Sequence, residues 1–212
     1  MPRLFFAACL AALLPSAFAG DAAFQNDFEK ADVGKNASDL EFLVIGDGEF
    51  KVVQDEKNKV LELSPIPLET YGCLFGPVES ENIEAQLRAF GTLTGRRFPV
   101  FGVGLSGVGG YILRVNPAKK AIELLKGEEV KASAPYTWKT ATWTLIRLSV
   151  KKVKDGQWNI AGKAWEQGQE EPKDWQVNFD DAEKPLSGRG SLWGIPYSGT
   201  QIRFDDLLVR KL

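Results

Sequence analysis

The sequence of 212 residues contains no histidine, one methionine and two cysteines. Without an imidazole, the chain excludes the Ser-His-Asp triad, the Cys-His pair and histidine-ligated zinc or iron sites. Any catalysis would have to use carboxylates, lysine, tyrosine or arginine. A bound metal would be a hard cation held by oxygen atoms. Several enzyme classes are therefore excluded before any motif is considered.

The chain also lacks an excess of positive charge and a pair of cysteines in its main body. It has 26 basic and 28 acidic residues, a formal net charge of −2, which argues against nucleic acid and anionic membrane as partners. Cys9 lies in the first apolar run. Removal of that run would leave Cys73 without an intramolecular disulfide partner. Its apolar neighbours favour a buried, inert thiol over a reactive one.

Residues 1–19 have the pattern of a secretory signal peptide. Arg3 is followed by an apolar run over Leu4–Leu14 and by the small-x-small sequence Ala17-Phe18-Ala19. The run is too short to be a transmembrane segment. We therefore expect a secreted protein (periplasmic, cell-surface or extracellular) with a single domain over residues 20–212.

The remaining chain has the alternating pattern of β-strands. Apolar and polar or small residues alternate with a period of two, and no long stretch has the period of a helix. The Asp155-Gly156 pair predicts a hairpin with a type I′ turn. Many short strands joined by tight turns indicate an antiparallel sandwich or barrel. The predicted strands include Leu40–Ile45, Phe50–Gln54, Val60–Ser64, Ile83–Ala89, Phe101–Leu105, Tyr111–Val115, Ala121–Lys126, Ile146–Val150, Gln157–Trp165 and Trp175–Phe179.

The final strand has a break in its parity. Ile202 and Phe204 share one parity, whereas Leu207 and Val209 have the other. If all four side chains point inward, one extra residue must be absorbed, which predicts a β-bulge at Asp205-Asp206. Such a bulge would turn an Asp carboxylate towards a cation or a neighbouring backbone. The alternative is a plain strand end with two solvent-facing acids.

Five segments carry a resemblance to a known superfamily: Phe24–Glu29, Phe101–Gly107, Gly110–Val115, Trp143–Leu148 and Ile202–Val209. They resemble secreted bacterial domains of the concanavalin A-like lectin/glucanase superfamily, with its LamG-like jelly rolls. The resemblance covers essentially the whole chain after residue 19. It implies an all-β, two-sheet antiparallel β-sandwich of jelly-roll type, whose concave face commonly meets carbohydrate.

One acidic segment is similar in spacing to the E-x-D-x-x-E signature of family-16 glucanases in this superfamily. The acids are Glu79, Glu81 and Glu84, and in that family paired carboxylates act as nucleophile and general acid. Here the middle acid is Glu rather than Asp, and the first two lie near a predicted turn. The sequence favours a chance acidic turn, so Glu84 is only a weak catalytic candidate.

A binding surface is predicted from residues that face away from the core. If the strands around residues 86, 102 and 114 are neighbours, bare glycine backbone forms a trough edged by polar groups. Two aromatic residues in a loop-like segment would add platforms for sugar rings. The alternative is that the glycines only permit close packing. The predicted ligand-binding residues are Gln86, Arg88, Gly102, Gly104, Arg114, Trp193 and Tyr197.

A structural calcium ion is a further expectation. Asp47 lies between two glycines, and Asp205 and Asp206 lie in the last strand. Their oxygen atoms suit a hard cation, and the resemblance implies an ion that ties the terminal strand to an early loop. No other cofactor is required.

Three functions remain open. The favoured one is a secreted, non-catalytic, lectin-like domain that binds carbohydrate on a concave face. The second is a glycoside hydrolase or polysaccharide lyase that uses carboxylate, Tyr or Arg chemistry. The third is a structural envelope protein that mediates protein contacts. The identity of the glycan and the oligomeric state are left open by the sequence.

Overall fold

A computed structural model describes residues 22–35, 40–43, 49–66 and 68–212. The predicted signal peptide and Asp47 lie outside the described residues. The described chain forms β-strands and one 3-10 helix, Pro117–Lys119. The strands are β1 (Ala22–Asn26), β2 (Glu41–Leu43), β3 (Phe50–Asp55), β4 (Asn58–Leu63), β5 (Tyr71–Glu79), β6 (Ile83–Gly91), β7 (Val100–Leu105), β8 (Tyr111–Asn116), β9 (Ala121–Lys126), β10 (Glu129–Pro135), β11 (Thr142–Lys154), β12 (Gln157–Glu166), β13 (Val177–Asp181), β14 (Gly188–Ile195) and β15 (Ile202–Lys211).

The strands form two antiparallel sheets. Sheet A has the spatial order β13-β12-β11-β6-β15-β4-β3, with β1 also paired to β15. Sheet B has the order β10-β9-β8-β7-β14-β5-β2. The prediction of an all-β, two-sheet antiparallel sandwich is confirmed. Among the described residues there is no helix with the length and apolar character to cross a bilayer.

The core lies between the two sheets and follows the alternation of the sequence. Leu87 and Ile146 from sheet A, and Val103 and Leu113 from sheet B, are completely buried. The sheets approach closely at Gly162 in β12, where a Cβ would lie 2.6 Å from the Leu113 side chain. Burial of these apolar faces is the main stabilising contribution to the fold. The alternate residues point to the outer face of each sheet, away from the core.

The predicted bulge in the last strand is confirmed. The register between β15 and β6 shifts between Asp205 and Leu208, and Asp206 has a left-handed φ of 51°. The extra residue lets Phe204 and Leu207, which differ in parity, both be completely buried. Asp205 is consequently buried on the outer face of sheet A instead of pointing into solvent.

The predicted type I′ turn at Asp155-Gly156 is wrong. A type I′ turn needs positive φ at both central residues, but only Gly156 has one, at 70°. The register between β11 and β12 shifts between Lys152 and Lys154. The hairpin therefore absorbs an extra residue in a bulge, which lets Asp155 avoid the left-handed region.

Candidate functional site

The predicted binding residues divide between two opposite faces of the sandwich. The neighbours of β6 are β11 and β15 in sheet A, whereas those of β7 are β8 and β14 in sheet B. Gln86 and Arg88 consequently lie on the outer face of sheet A, while Gly102, Gly104 and Arg114 lie on that of sheet B. The prediction of one trough shared by all three strands is wrong, because β6 and β7 are consecutive in sequence but belong to different sheets.

On sheet B, strand register aligns one row of residues across five strands. Trp193 is paired with Gly72 on one side and with Gly102 on the other. Gly102 is paired in turn with Arg114, and Arg114 with Glu123. Trp193 belongs to strand β14, so the expectation that it lies in a loop is wrong. Because neighbouring strands are about 4.8 Å apart, Trp193 and Arg114 flank a gap one strand wide.

The Trp193 indole lies across the surface of sheet B. A Cβ at Gly72 would be 2.8 Å from Cζ3 of the indole, and one at Gly104 would be 3.2 Å from Nε1. Nε1 donates a hydrogen bond to Ser191 Oγ at 2.9 Å. Glycines beneath both ends of the ring therefore let the half-buried indole lie along the sheet. The expected bare trough is partly filled by this ring.

Gly102 and Gly104 also permit close packing, as the alternative interpretation expected. A Cβ at Gly102 would lie 2.4 Å from the carbonyl oxygen of Leu113, and one at Gly104 would lie 2.3 Å from Ser191 Oγ. Both glycines are buried. Any larger residue at these positions would displace the neighbouring strand or Ser191.

Arg114 is held in place by a buried carboxylate. Its Nε donates to Glu123 Oε2 at 2.7 Å, and Glu123 also accepts hydrogen bonds from Asn116 and Lys119. Burial alone would raise the pKa of Glu123, but these three donors outweigh it and lower the pKa below its usual value. Within the described chain, Nη1 and Nη2 of Arg114 make no hydrogen bond. Two donor groups therefore remain for a ligand.

A cleft of about 60 Å³ opens between Trp193 and Arg114. Apart from Arg114 and Thr70, its lining is apolar or aromatic. A mostly apolar wall with a few polar groups is typical of small-molecule sites, but the volume is well below their usual range of about 300–1,000 Å³, so a ligand would lie across the mouth of the cleft rather than inside it. The other lining residues are Val100, Phe101, Ile112, Leu125 and Ile195.

Arg88 lies on the opposite face and forms ion pairs with the two aspartates of the bulge. Its Nη2 contacts Asp205 Oδ2 and its Nε lies 2.9 Å from Asp206 Oδ2. Asn58 Nδ2 donates to the same Asp205 oxygen at 2.6 Å. Burial and the neighbouring Asp206 raise the pKa of Asp205, while Arg88 opposes the rise.

Gln86 belongs to a second polar group on sheet A. Arg147 Nε donates to Gln86 Oε1 at 2.8 Å and lies 3.3 Å from Glu84. Arg210 also pairs with Glu84, and all four residues are buried. Gln86 is thus packed inside a network of side chains.

The comparisons with known proteins bear on the fold. No protein-family model matches the chain, and no curated protein matches it. Among solved structures, a Bacillus subtilis protein with a galectin-like fold shares 12% identity at a TM-score of 0.60, covering 91% of this chain and 96% of its own. The chain has the concanavalin A-like jelly-roll fold.

Two further similar structures carry carbohydrate-related names. The carbohydrate recognition domain of Emp46p shares 13% identity at a TM-score of 0.57, over 91% of this chain and 98% of that one. The Bacillus subtilis carbohydrate-binding module CBM66 shares 10% identity at a TM-score of 0.56, over 83% and 98%. At these sequence identities, the similarity shows a shared fold and nothing further.

In this jelly roll, the three acids of the glucanase-like spacing diverge. Glu79 ends β5 in sheet B and pairs with Lys211 at 2.8 Å. Glu81 accepts a hydrogen bond from Trp158 Nε1 at 2.6 Å. Glu84 lies on β6 in sheet A and is bound by arginines. The acids therefore sit in separate environments, and the structure does not bring them together as the paired carboxylates of a glycosidase.

The jelly roll's Asp205 and Asp206 do not form a calcium site by themselves. Both oxygens of Asp205 are used, because Oδ1 accepts from the Asp206 amide and Oδ2 is held by Asn58 and Arg88. The Arg88 guanidinium would also repel a second cation. Among the described residues no group of three or more acids or cysteines is arranged for a metal. Because the calcium prediction includes Asp47, outside the described chain, it stays a prediction.

Other expectations differ from the structure in detail. Tyr197 follows β14 and is 50% exposed, but it does not line the Trp193 cleft. The Gln167–Lys173 segment is largely exposed, and its Glu171 lies 2.6 Å from both Arg147 and Lys163.

The sequence analysis did not identify Arg147 and Lys163, the two basic residues of sheet A that pair with Glu171. Their only signal is parity: Arg147 and Lys163 alternate with core residues, so they were identifiable as outward-facing. Their partners could not be identified from the sequence, because a local pattern does not show which distant residues meet. Arg147 and Glu84, for example, are 63 residues apart (147 minus 84).

Proposed function

We propose that this domain binds carbohydrate in the cleft between Trp193 and Arg114 on the outer face of sheet B. The observation that carries the proposal is the indole lying across Gly72 and Gly104, in a cleft whose lining also includes Arg114. An aromatic ring parallel to a sheet offers a flat apolar face, which suits the C–H face of a pyranose.

Arg114 supplies the polar part of the recognition. Its hydrogen bond to Glu123 fixes the guanidinium plane, so Nη1 and Nη2 meet a sugar hydroxyl or carboxylate without a further ordering cost. Val100, Ile112 and Leu125 form apolar walls. A ring that stacks on Trp193 would place its hydroxyls towards Arg114.

The ligand class is supported by the similar structures, since two of them are carbohydrate-binding or carbohydrate-recognition domains by name. Secretion and a non-catalytic role complete the proposal. They rest on the pattern of residues 1–19 and on the separation of Glu79, Glu81 and Glu84 into different surroundings. We propose no catalytic residue.

The test is binding of the purified protein to a glycan array, with and without calcium. For any bound glycan, Trp193→Ala should weaken affinity about tenfold or more, because a stacked ring loses its platform. Arg114→Ala should also weaken it. Trp175→Ala is the matched control, since this indole lies on the other face beside Lys163. Absence of any bound glycan, or unchanged affinity in both cleft variants, would contradict the proposal.

A further inference from the structure

A larger cavity lies on the opposite face of the sandwich, in the outer surface of sheet A. Its volume is about 370 Å³, within the range of pockets that hold a small ligand. It belongs to neither the Trp193 cleft nor the network around Glu84. Its lining residues are Asp55, Glu56, Asn58, Arg88, Phe90, Trp143 and Arg203.

The cavity lies where the strand paired with one edge of β15 changes from β4 to β1. Strand β15 pairs with β4 only over Ile202–Phe204, and β1 pairs with it from Leu207 to Arg210. At the change, the end of the β3–β4 hairpin separates from β15. Asn58 reaches back to the bulged Asp205. The bulge therefore creates a notch whose walls come from strands distant in sequence.

The polar groups of the notch are ordered by their own ion pairs. Arg203 Nε lies 2.9 Å from Glu62 and its Nη1 lies 3.0 Å from Asp55 Oδ1. Within the described chain, Nη2 of Arg203 and Oδ2 of Asp55 make no hydrogen bond. A fixed donor thus stands beside a fixed acceptor, which is the arrangement that a sugar hydroxyl pair requires.

The aromatic residues of the notch play a different role from Trp193. Phe90 and Trp143 are cross-strand neighbours with ring centroids 5.5 Å apart. Arg88 lies 4.6 Å from the Trp143 centroid and Arg203 5.9 Å from that of Phe90. Because guanidinium groups already cover these rings, recognition here depends on hydrogen bonds to hydroxyl groups.

The charged residues of the notch favour neutral sugars over acidic ones. The lining contains two arginines and two carboxylates, and both arginines are already paired with carboxylates, so the described lining offers no unpaired cation to a uronate or a sialic acid. The Trp193 cleft, by contrast, has Arg114 in its lining. The carboxylates that line the notch or pair with its arginines are Asp55, Glu56, Glu62, Asp205 and Asp206.

We propose that this notch is a second, independent carbohydrate site that takes an uncharged monosaccharide unit. The proposal shares only the ligand class with the proposed function of the Trp193 cleft. Sites on opposite faces would allow one molecule to bind two glycan chains at once.

The test uses the indole N–H signals of Trp143 and Trp193 in NMR spectra, assigned with Trp→Phe variants. The probes are glucose, galactose, mannose, fructose and glucuronate, each to about 50 mM, since a single subsite is expected to bind in the millimolar range. At least one neutral sugar should shift the Trp143 signal saturably in wild type and in Trp193→Ala. Glucuronate should not shift it.

Asp55→Asn should weaken the Trp143 response at least about fivefold, because the ordered acceptor beside Arg203 loses its charge. Asp155→Asn, in an exposed pair with Lys152, is the matched control. Thermal unfolding of both variants checks that the fold is intact, and Asn58→Ala provides a second variant if Asp55→Asn does not fold.

A Trp143 signal that no neutral sugar shifts, or one whose shift disappears in Trp193→Ala, would overturn the second site. Equal binding of glucuronate would overturn its selectivity. A Trp143 response in a protein whose Trp193 signal never changes would support the notch while contradicting the proposed function of the cleft. The two proposals are therefore separable.

Discussion

The two outer faces of the sandwich are built in different ways. On sheet A, long charged side chains lie in ion pairs that are largely buried, such as Arg147 and Arg210 around Glu84. On sheet B, glycines and a flat indole occupy the centre, beside the charged cluster around Glu123. In both sheets, core residues alternate along the strands with outward-facing ones, and the two sheets share one core. The difference between the two outer faces therefore arises from the outward-facing residues alone.

This difference separates stability from recognition. A buried charge that loses its partner is strongly destabilising, so the centre of sheet A is committed to holding the fold. The indole of Trp193 is half-buried and its removal leaves no unpaired charge. We therefore expect substitutions at the centre of sheet A to act on unfolding, and those around Trp193 to act on binding.

The largest expected effect comes from Glu84→Gln. This change removes the carboxylate that Arg147 and Arg210 share, although Arg147 keeps its pair with Glu171. The free energy of unfolding should fall by about 3–5 kcal/mol, measured by urea denaturation. Glu183→Gln, at an exposed carboxylate that pairs with Lys126, should change it by less than about 1 kcal/mol. Equal losses in both variants would remove the contrast between buried and exposed pairs.

A smaller effect is expected from Glu123→Gln on sheet B. The pKa of Glu123 is lowered, so the ionised carboxylate stabilises the folded state above the unfolded pKa of about 4.3, and this contribution is lost as pH falls through the folded pKa. At pH 7 the variant should lose about 1–3 kcal/mol. The difference from wild type should shrink below about pH 4. A difference independent of pH would contradict this assignment.

The smallest effect on stability is expected from Gly72→Ala. Its Cβ would lie 2.8 Å from the Trp193 ring, so the indole must tilt away from the sheet. Unfolding should change by about 1 kcal/mol, but glycan affinity in the cleft should fall. Gly109→Ala, where the nearest atom is 3.5 Å away, is the matched control. Retained affinity would show that the flat position of the indole is not needed.

The sequence was sufficient to predict the layers of this fold. The period-two pattern around Leu87 and Val103 identifies inward and outward residues without knowledge of any partner, because side chains alternate strictly along a strand. The bulge at Asp205-Asp206 followed from the same rule. The type I′ turn failed because the Asp-Gly pair is equally compatible with a turn that ends in a bulge.

The candidate sites depend on pairings that the sequence pattern does not contain. Trp193 and Gly72 are far apart in sequence but adjacent in register, and Asn58 meets Asp205 across the sheet. Which residues face outward was determined by the sequence alone, through the local geometry of extended chain. Which of them meet was decided only by the tertiary structure, because strand order depends on the packing of the whole core, and no local pattern encodes it.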